Sequence, residues 1–89
     1  MTHELKIKEP FADAIDNGDK MFEVRYNDRG YQRGDVIKFT VVDKIDVPIY
    51  SHPLTGAEFE ITYVLNGWGI KDEYVVFGFR PLFRNVSIK

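Results

Sequence analysis

The chain has 89 residues, of which 44% are apolar and 29% charged, and its formal net charge is −2. This is the composition of an ordinary globular protein, and the length leaves room for one hydrophobic core, so we predict a single domain over residues 1–89. The absence of cysteine excludes disulfides, thiolate metal sites and a cysteine nucleophile, and it suits the reducing cytoplasm. The longest apolar runs fall far short of the roughly 20 residues that cross a bilayer, so no membrane segment is expected. A negative net charge also argues against nonspecific binding of polyanions, so any role with nucleic acid must rest on a local site.

The first part of the chain predicts a strand followed by a short helix. Residues 4–8 alternate polar and apolar side chains, so Leu5 and Ile7 would face a core. Pro10 suits a first helical turn and Gly18 suits a helix end, which predicts a helix over residues 10–17. Its apolar residues recur at helical spacing, at Phe11, Ala14 and Ile15.

The rest of the chain predicts a mainly β fold. A second strand begins near Met21 and alternates with period two, a β-branched third strand covers Val36–Val42, and two more cover Glu58–Leu65 and residues 74–79. Residues 45–57 contain two prolines and no periodicity, which predicts a long loop rather than a core element. Residues 80–89 form either a sixth edge strand or a tail. The fold class is therefore α+β, mainly β, with about five strands and one helix in a small mixed or closed sheet.

Several chemistries find no support in the sequence. His3 and His52 belong to no metal-ligand spacing, so no metal is expected, and no cofactor motif is present. Ser51 and His52 are adjacent in the proline-rich loop, and adjacency in sequence seldom gives the geometry of a catalytic pair.

The segment from Gly18 to Arg25 carries the strongest candidate chemistry. Lys20 lies just beyond the predicted helix end, and the next strand presents Glu23 and Arg25 on one face, about 6.5–7 Å apart. Such a basic and acidic cluster could meet a phosphate or the edge of a base. Alternatively, Lys20 caps the helix dipole while Glu23 and Arg25 pair on a solvated sheet face, a pair worth about 0–1 kcal/mol. Composition alone favours this second interpretation.

The run Gly18-x-Lys20-x-x-Glu23-x-Arg25 resembles the G-x-K-x-x-E-x-R signature of the ASCH domain, the activating signal cointegrator homology module of the PUA-like superfamily. The flanking residues, at 3–7, 27–29 and 34–35, resemble a compact bacterial and phage subfamily, and the similarity runs from residue 2 to about 79. It implies a PUA-like β-barrel of five to six strands, with the helix at its mouth and a cleft that binds RNA or a nucleotide. It also assigns ligand-facing positions, primarily Lys20, Glu23 and Arg25, and secondarily His3, Lys6, Asn27 and Arg29.

A hydrolase branch of the same superfamily, which removes acyl groups from modified cytidine, gives an alternative. Its catalytic Lys falls on Lys20, but Glu23 stands where the branch has its Thr, so its Thr-assisted mechanism is not supported. A different hydrolysis of a modified nucleoside remains open, with Lys20 as base and Glu23 as proton carrier. Glu73 is the one late acid near the final strand that could replace the branch's Glu.

Two further features have alternative interpretations. Trp68 lies between two glycines and is either an exposed platform for stacking a base or a loop side chain folded over the barrel end. The 45–57 loop, with Ile49, Tyr50 and Leu54, would make the contact if the protein were a protein–protein adaptor. The sequence does not indicate the oligomeric state.

Overall fold

The computed structural model describes residues 1–83 and confirms the mainly β fold, with five strands and one short helix after the first strand. The elements are β1 (Thr2–Lys8), α1 (Glu9–Asp16), β2 (Phe22–Tyr26), β3 (Val36–Val42), β4 (Glu58–Leu65) and β5 (Tyr74–Phe83). Residues 80–83 continue β5 and pair with β4, so they do not form a separate sixth strand. The remainder of the predicted strand or tail, residues 84–89, lies outside the described residues.

The five strands form one sheet in the order β1-β3-β4-β5-β2. β1 and β3 are parallel, and the connection between them contains α1 and β2, which runs in the opposite direction; the other pairs are antiparallel. The sheet curls into a half-barrel with β1 and β2 at its two edges. The barrel is therefore open along one side, between these two edge strands.

The concave side of the sheet holds one aromatic and aliphatic core. Phe39, Phe59 and Phe79 contact each other with ring centroids 5.0 to 5.9 Å apart. The helix contributes Ala12 and Ile15, both fully buried, and so covers part of this core. Each large buried side chain contributes about 1.5–3 kcal/mol relative to an exposed one. This core holds the sheet and the helix together and so fixes the positions of the elements at the open side of the barrel.

The 45–57 segment is irregular, as predicted, but it differs from the sequence prediction because part of it contributes to the core. Leu54 is completely buried and Ile49 packs against the core cluster. The Thr55 hydroxyl donates to Ile49 O (2.9 Å) and accepts from Val41 N (3.0 Å), which ties the segment to β3. The segment shows no periodicity because it enters the core through turns, with isolated apolar side chains.

His52 fastens the same segment to the helix. Its Nδ1 accepts from the Leu54 N–H (3.0 Å), so Nε2 carries the proton and donates to Asp13 Oδ1 (2.8 Å). Both ring nitrogens are engaged in these structural contacts, while Ser51 is exposed to solvent. His52 is therefore a structural clamp.

Candidate functional site

β2 has its apolar side chains on the outside of the barrel. Phe22, Val24 and Tyr26 are exposed on the outer face, whereas the Glu23 side chain is only 8% exposed. Glu23 lies opposite the core residue Phe77 in the β2–β5 register and therefore faces the inside. The alternative in which Glu23 and Arg25 pair on a solvated sheet face is therefore wrong about the face, because Glu23 is buried, although the two side chains do pair.

Glu23 is the centre of an ion cluster that also contains Lys20 and Arg25. Its Oε1 accepts from Lys20 Nζ, and its Oε2 accepts from Arg25 Nε (2.8 Å) and lies 2.7 Å from Nη2. Lys20 Nζ also donates to Phe22 O (2.8 Å). The carboxylate lies inside and both cations are more exposed, so the cluster presents its positive groups at the surface.

Arg25 also joins the two edges of the half-barrel. Its Nη2 donates to Lys6 O on β1 (2.8 Å). Val36 N donates to Met1 O, and because pairing alternates along a strand, the backbone groups of Lys6 point away from β3, towards the opening. The Arg25 side chain thus crosses the gap in which a further strand pairing would close the barrel.

A cavity of about 390 Å³ lies at this opening and is called the β1–β2 cavity below. Its lining comes from β1, α1, β2 and the turn before β2, and consists of Lys6, Ile7, Lys8, Phe11, Lys20, Glu23, Val24 and Arg25. Four of these side chains are cations and one is a carboxylate, in a chain whose net charge is −2. The cavity is therefore a local positive site that favours an anionic ligand.

Hydrogen-bond donors remain available in this cavity. Within residues 1–83, neither Arg25 Nη1 nor Lys6 Nζ makes a hydrogen bond to the protein. Lys20 Nζ lies 5.6 Å from the ring centroid of Phe11 and 5.1 Å from that of Phe22, which limits its movement. The site thus combines oriented donors with one buried acceptor.

The secondary positions implied by the resemblance are not brought together. Lys6 lines the cavity, but His3 is buried, with Nε2 2.8 Å from Asp35 Oδ2, and does not line it. Asn27 Oδ1 accepts from Tyr31 N (3.1 Å) and so stabilises the turn after β2. Arg29 is exposed in that same turn and does not line the cavity.

Tyr31, which follows this turn, is buried in the core and contacts the buried His3. Its ring lies 4.9 Å from that of His3 and 4.8 Å from that of Phe77. Burial raises the pKa of the Tyr31 hydroxyl, although the nearby Arg25 charge works to lower it.

Two other candidates lie away from the cavity. Trp68 is 90% exposed, so the interpretation that it folds over the barrel end is wrong, and stacking of a base on it remains a prediction. Glu73 accepts from the Tyr26 hydroxyl (2.8 Å) on the outer face, and this hydrogen bond raises the pKa of Tyr26. Glu73 does not line the cavity and therefore does not supply the acid of the hydrolase branch there.

The structure also bears on metals and membranes. Within residues 1–83, no three His, Asp or Glu side chains are grouped as a metal site would require. The one helix in this part of the chain is too short and too polar to cross a membrane.

The contact between His3 and Asp35 yields a prediction about acid stability. Burial works to raise the pKa of the Asp35 carboxyl, but hydrogen bonds from His3 and Gln32 N–H and the charged N terminus outweigh it and hold the pKa below the ordinary value of 3.8. A pKa that is lower in the folded protein means that Asp35 stabilises the fold above about pH 4 and loses this effect as the pH falls below it. We expect Asp35→Asn to lower the urea midpoint at pH 6, and this difference from the parent to shrink as the pH falls from 4 towards 2.

Urea unfolding from pH 2 to pH 6 measures this difference. Asp46→Asn is the control, because Asp46 also has a lowered pKa, caused by its hydrogen bond from Lys8, but lies on the exposed surface. Its effect should be small at every pH. A constant offset between Asp35→Asn and the parent over this whole range would contradict the assignment.

Comparison with known proteins gives one match. Residues 2–79 match the protein-family model described as a domain of unknown function (DUF3850). This range runs from the start of β1 into β5 and contains every residue that lines the β1–β2 cavity. No curated protein matches the chain.

Proposed function

The chain belongs to the DUF3850 family, whose description states no activity, and we propose that it binds RNA or a nucleotide in the β1–β2 cavity. The observation that carries this proposal is the ion cluster, with its buried Glu23 and two oriented cations at the opening. Replacing a buried ion cluster with apolar side chains is often neutral or stabilising, so stability alone gives little reason to keep one. A ligand does give such a reason.

The chemistry of the cavity suits a nucleotide. The planar guanidinium of Arg25 offers donors in the geometry that phosphate accepts, and Lys6 and Lys20 add point charges. The Glu23 carboxylate is an acceptor for the amino group of a base. A volume of about 390 Å³ lies in the range of small-molecule sites.

The resemblance to the ASCH domain agrees with this proposal. Lys20, Glu23 and Arg25 of the signature all line one cavity, as an ASCH-like module of the PUA-like superfamily would require. The absence of cysteine suits binding in the cytoplasm.

Hydrolysis of a modified nucleoside is the second candidate, and the contact between Lys20 and Glu23 is the observation that favours it, because the pair could pass a proton. Among the described residues, however, the cavity lining contains no hydroxyl, thiol or imidazole side chain. Covalent catalysis therefore has no nucleophile of those types, which makes binding the better-supported function.

The proposal is tested by measuring the affinity for mononucleotides and for a short single-stranded RNA pool, using fluorescence anisotropy. We expect Lys20→Met and Arg25→Met each to weaken binding about tenfold or more, because a hydrogen bond to a charged group contributes about 1.5–3 kcal/mol. Lys38→Met is the matched control, since Lys38 is exposed on β3 outside the cavity. Its affinity should stay within about twofold of the parent if local geometry rather than net charge controls binding. Equal losses in all three variants, or no loss in any, would sink the proposal.

A further inference from the structure

The outer face of the sheet carries a gap between two exposed aromatic rings. Phe22 on β2 and Tyr63 on β4 are both register partners of Gly78 on β5, so all three residues lie in one row on one face. Phe22 is 45% and Tyr63 63% exposed. We call this arrangement the aromatic slot.

The slot has the dimensions of a planar ring. Neighbouring strands lie about 4.8 Å apart, so the Cα atoms of Phe22 and Tyr63 are separated by about 9–10 Å. Gly78 places no side chain between them, and at the β4 bulge the Thr62 hydroxyl borders this position, 3.5 Å from where a Cβ on Gly78 would lie. A flat ring that enters between the two aromatic side chains can contact their faces and this hydroxyl.

Positive charge lies on both sides of the slot. On the β2 side, Lys20 Nζ of the ion cluster is 5.1 Å from the Phe22 ring centroid. On the β4 side, a depression of about 200 Å³ has two arginines and one carboxylate in its lining, Arg33, Arg80 and Glu60, together with Thr62. Within residues 1–83, the Arg33 side chain makes no hydrogen bond, whereas Arg80 pairs with Glu60.

The slot, the cavity and the depression are neighbours. Lys20 belongs to the cavity lining and contacts Phe22, which forms one wall of the slot. A methyl group added at Gly78 would lie 3.5 Å from Thr62 Oγ1, which belongs to the depression. A continuous path therefore leads from the cavity across the slot to Arg33.

We propose that the aromatic slot binds a nucleobase, and that the ligand is a single-stranded nucleic acid spanning the cavity and the slot. This inference rests on the proposed function and deepens it, because a free mononucleotide would fill the cavity alone. The base stacks between Phe22 and Tyr63, and the phosphates on either side of it meet Lys20 and Arg33. A flat slot between two groups of cations fits a planar ring joined to two phosphates better than it fits an apolar protein surface.

Filling the slot tests the proposal. Gly78 does not have a positive φ, and an added Cβ makes only ordinary van der Waals contacts. Because a β-branched residue also suits a strand, we expect Gly78→Val to fold. We expect Gly78→Val to lose about tenfold or more in affinity for a seven-nucleotide single-stranded RNA, with mononucleotide affinity unchanged. The thermal midpoint of the variant should equal or exceed that of the parent.

Ring chemistry provides a second variant pair. Tyr63→Phe keeps the aromatic ring and should bind the RNA like the parent, whereas Tyr63→Leu keeps apolar area without a ring and should resemble Gly78→Val. Tyr50→Leu is the matched control, because Tyr50 is an aromatic residue that is 79% exposed and belongs to none of the strands that form the slot. It should have no effect on either ligand.

The outcomes separate the two proposals. If Gly78→Val and Tyr63→Leu bind the RNA like the parent while Arg25→Met does not, the slot proposal is wrong and the cavity proposal stands. If the parent binds neither RNA nor mononucleotides, both fail. If Gly78→Val has a different sedimentation coefficient from the parent but the same RNA affinity, the face is an interface between copies of the chain and the slot proposal is overturned.

Discussion

Glu23→Ala is expected to lower the free energy of unfolding by about 3 kcal/mol, at the lower end of the cost of breaking a buried ion pair. The variant leaves Lys20 and Arg25 without their shared carboxylate, and both cations are only partly exposed. It also releases the Arg25 side chain that bridges to Lys6 O across the open side of the barrel. Urea unfolding at pH 7 measures the loss, and the thermal midpoint should fall by roughly 10–20 °C.

Glu60→Ala is the matched control for this loss. Glu60 also pairs with an arginine, Arg80, but on the surface of the sheet. Exposed pairs contribute about 0–1 kcal/mol, so this variant should remain close to the parent. If both glutamate variants lose the same stability, burial of Glu23 is not the cause.

Replacing the whole ion cluster separates stability from function. We expect Lys20→Met, Glu23→Leu and Arg25→Met in combination to recover stability to within about 1 kcal/mol of the parent, because no buried charge is left unpaired and apolar side chains replace it. The same triple variant should lose all binding of RNA and nucleotides. A triple variant that is as unstable as Glu23→Ala would indicate that the cluster stabilises the fold directly.

The sequence predicts the positions of the strands well, but it does not always predict which face of a strand is buried. β1 is correctly predicted because Leu5 and Ile7 have only polar neighbours. In β2 the alternation is equally regular, but the apolar residues Phe22, Val24 and Tyr26 face outwards. Alternation along a strand defines two faces but does not say which of them is buried. In β2 the buried face carries the Glu23 carboxylate, whose charge is balanced by two cations.

Only part of the candidate site could be predicted from the sequence, because its residues come from several elements. Lys20, Glu23 and Arg25 follow from one local motif, whereas Lys8 and Phe11 reach the cavity from other elements and were missed. The spacing of Lys6 and Lys8 on one face of β1 was a usable signal for Lys8. His3 shares its face with Leu5 and Ile7, so the alternation already indicates a core position rather than a ligand contact.

Leu54→Ala is expected to cost about 3 kcal/mol, within the range measured for removing a fully buried leucine side chain. Leu54 is completely buried in the core although it lies in a segment without regular structure. The segment is fixed on both sides of Leu54, by His52 to Asp13 and by Thr55 to β3, so it cannot collapse easily into the cavity that the variant leaves. Urea unfolding at pH 7 measures the cost, and Tyr50→Ala, at an exposed position four residues earlier, should change stability by less than about 0.5 kcal/mol.

The burial of Leu54 and the exposure of Tyr50 decide how the adaptor hypothesis is tested. Of the three side chains predicted to contact a partner, Leu54 lies in the core and only Tyr50 is well exposed; Ile45, in the same segment, is exposed too. Deleting residues 45–57 would remove Leu54 and unfold the domain, so loss of a partner in that variant would carry no information. Tyr50→Ser combined with Ile45→Ser leaves the core intact and removes the two most exposed apolar side chains of the segment. A partner retained by this double variant but lost in Arg25→Met binds at the β1–β2 cavity, and the opposite result supports the adaptor hypothesis. If Leu54→Ala proves as stable as Tyr50→Ala, the segment is not part of the core and the deletion becomes a valid test again.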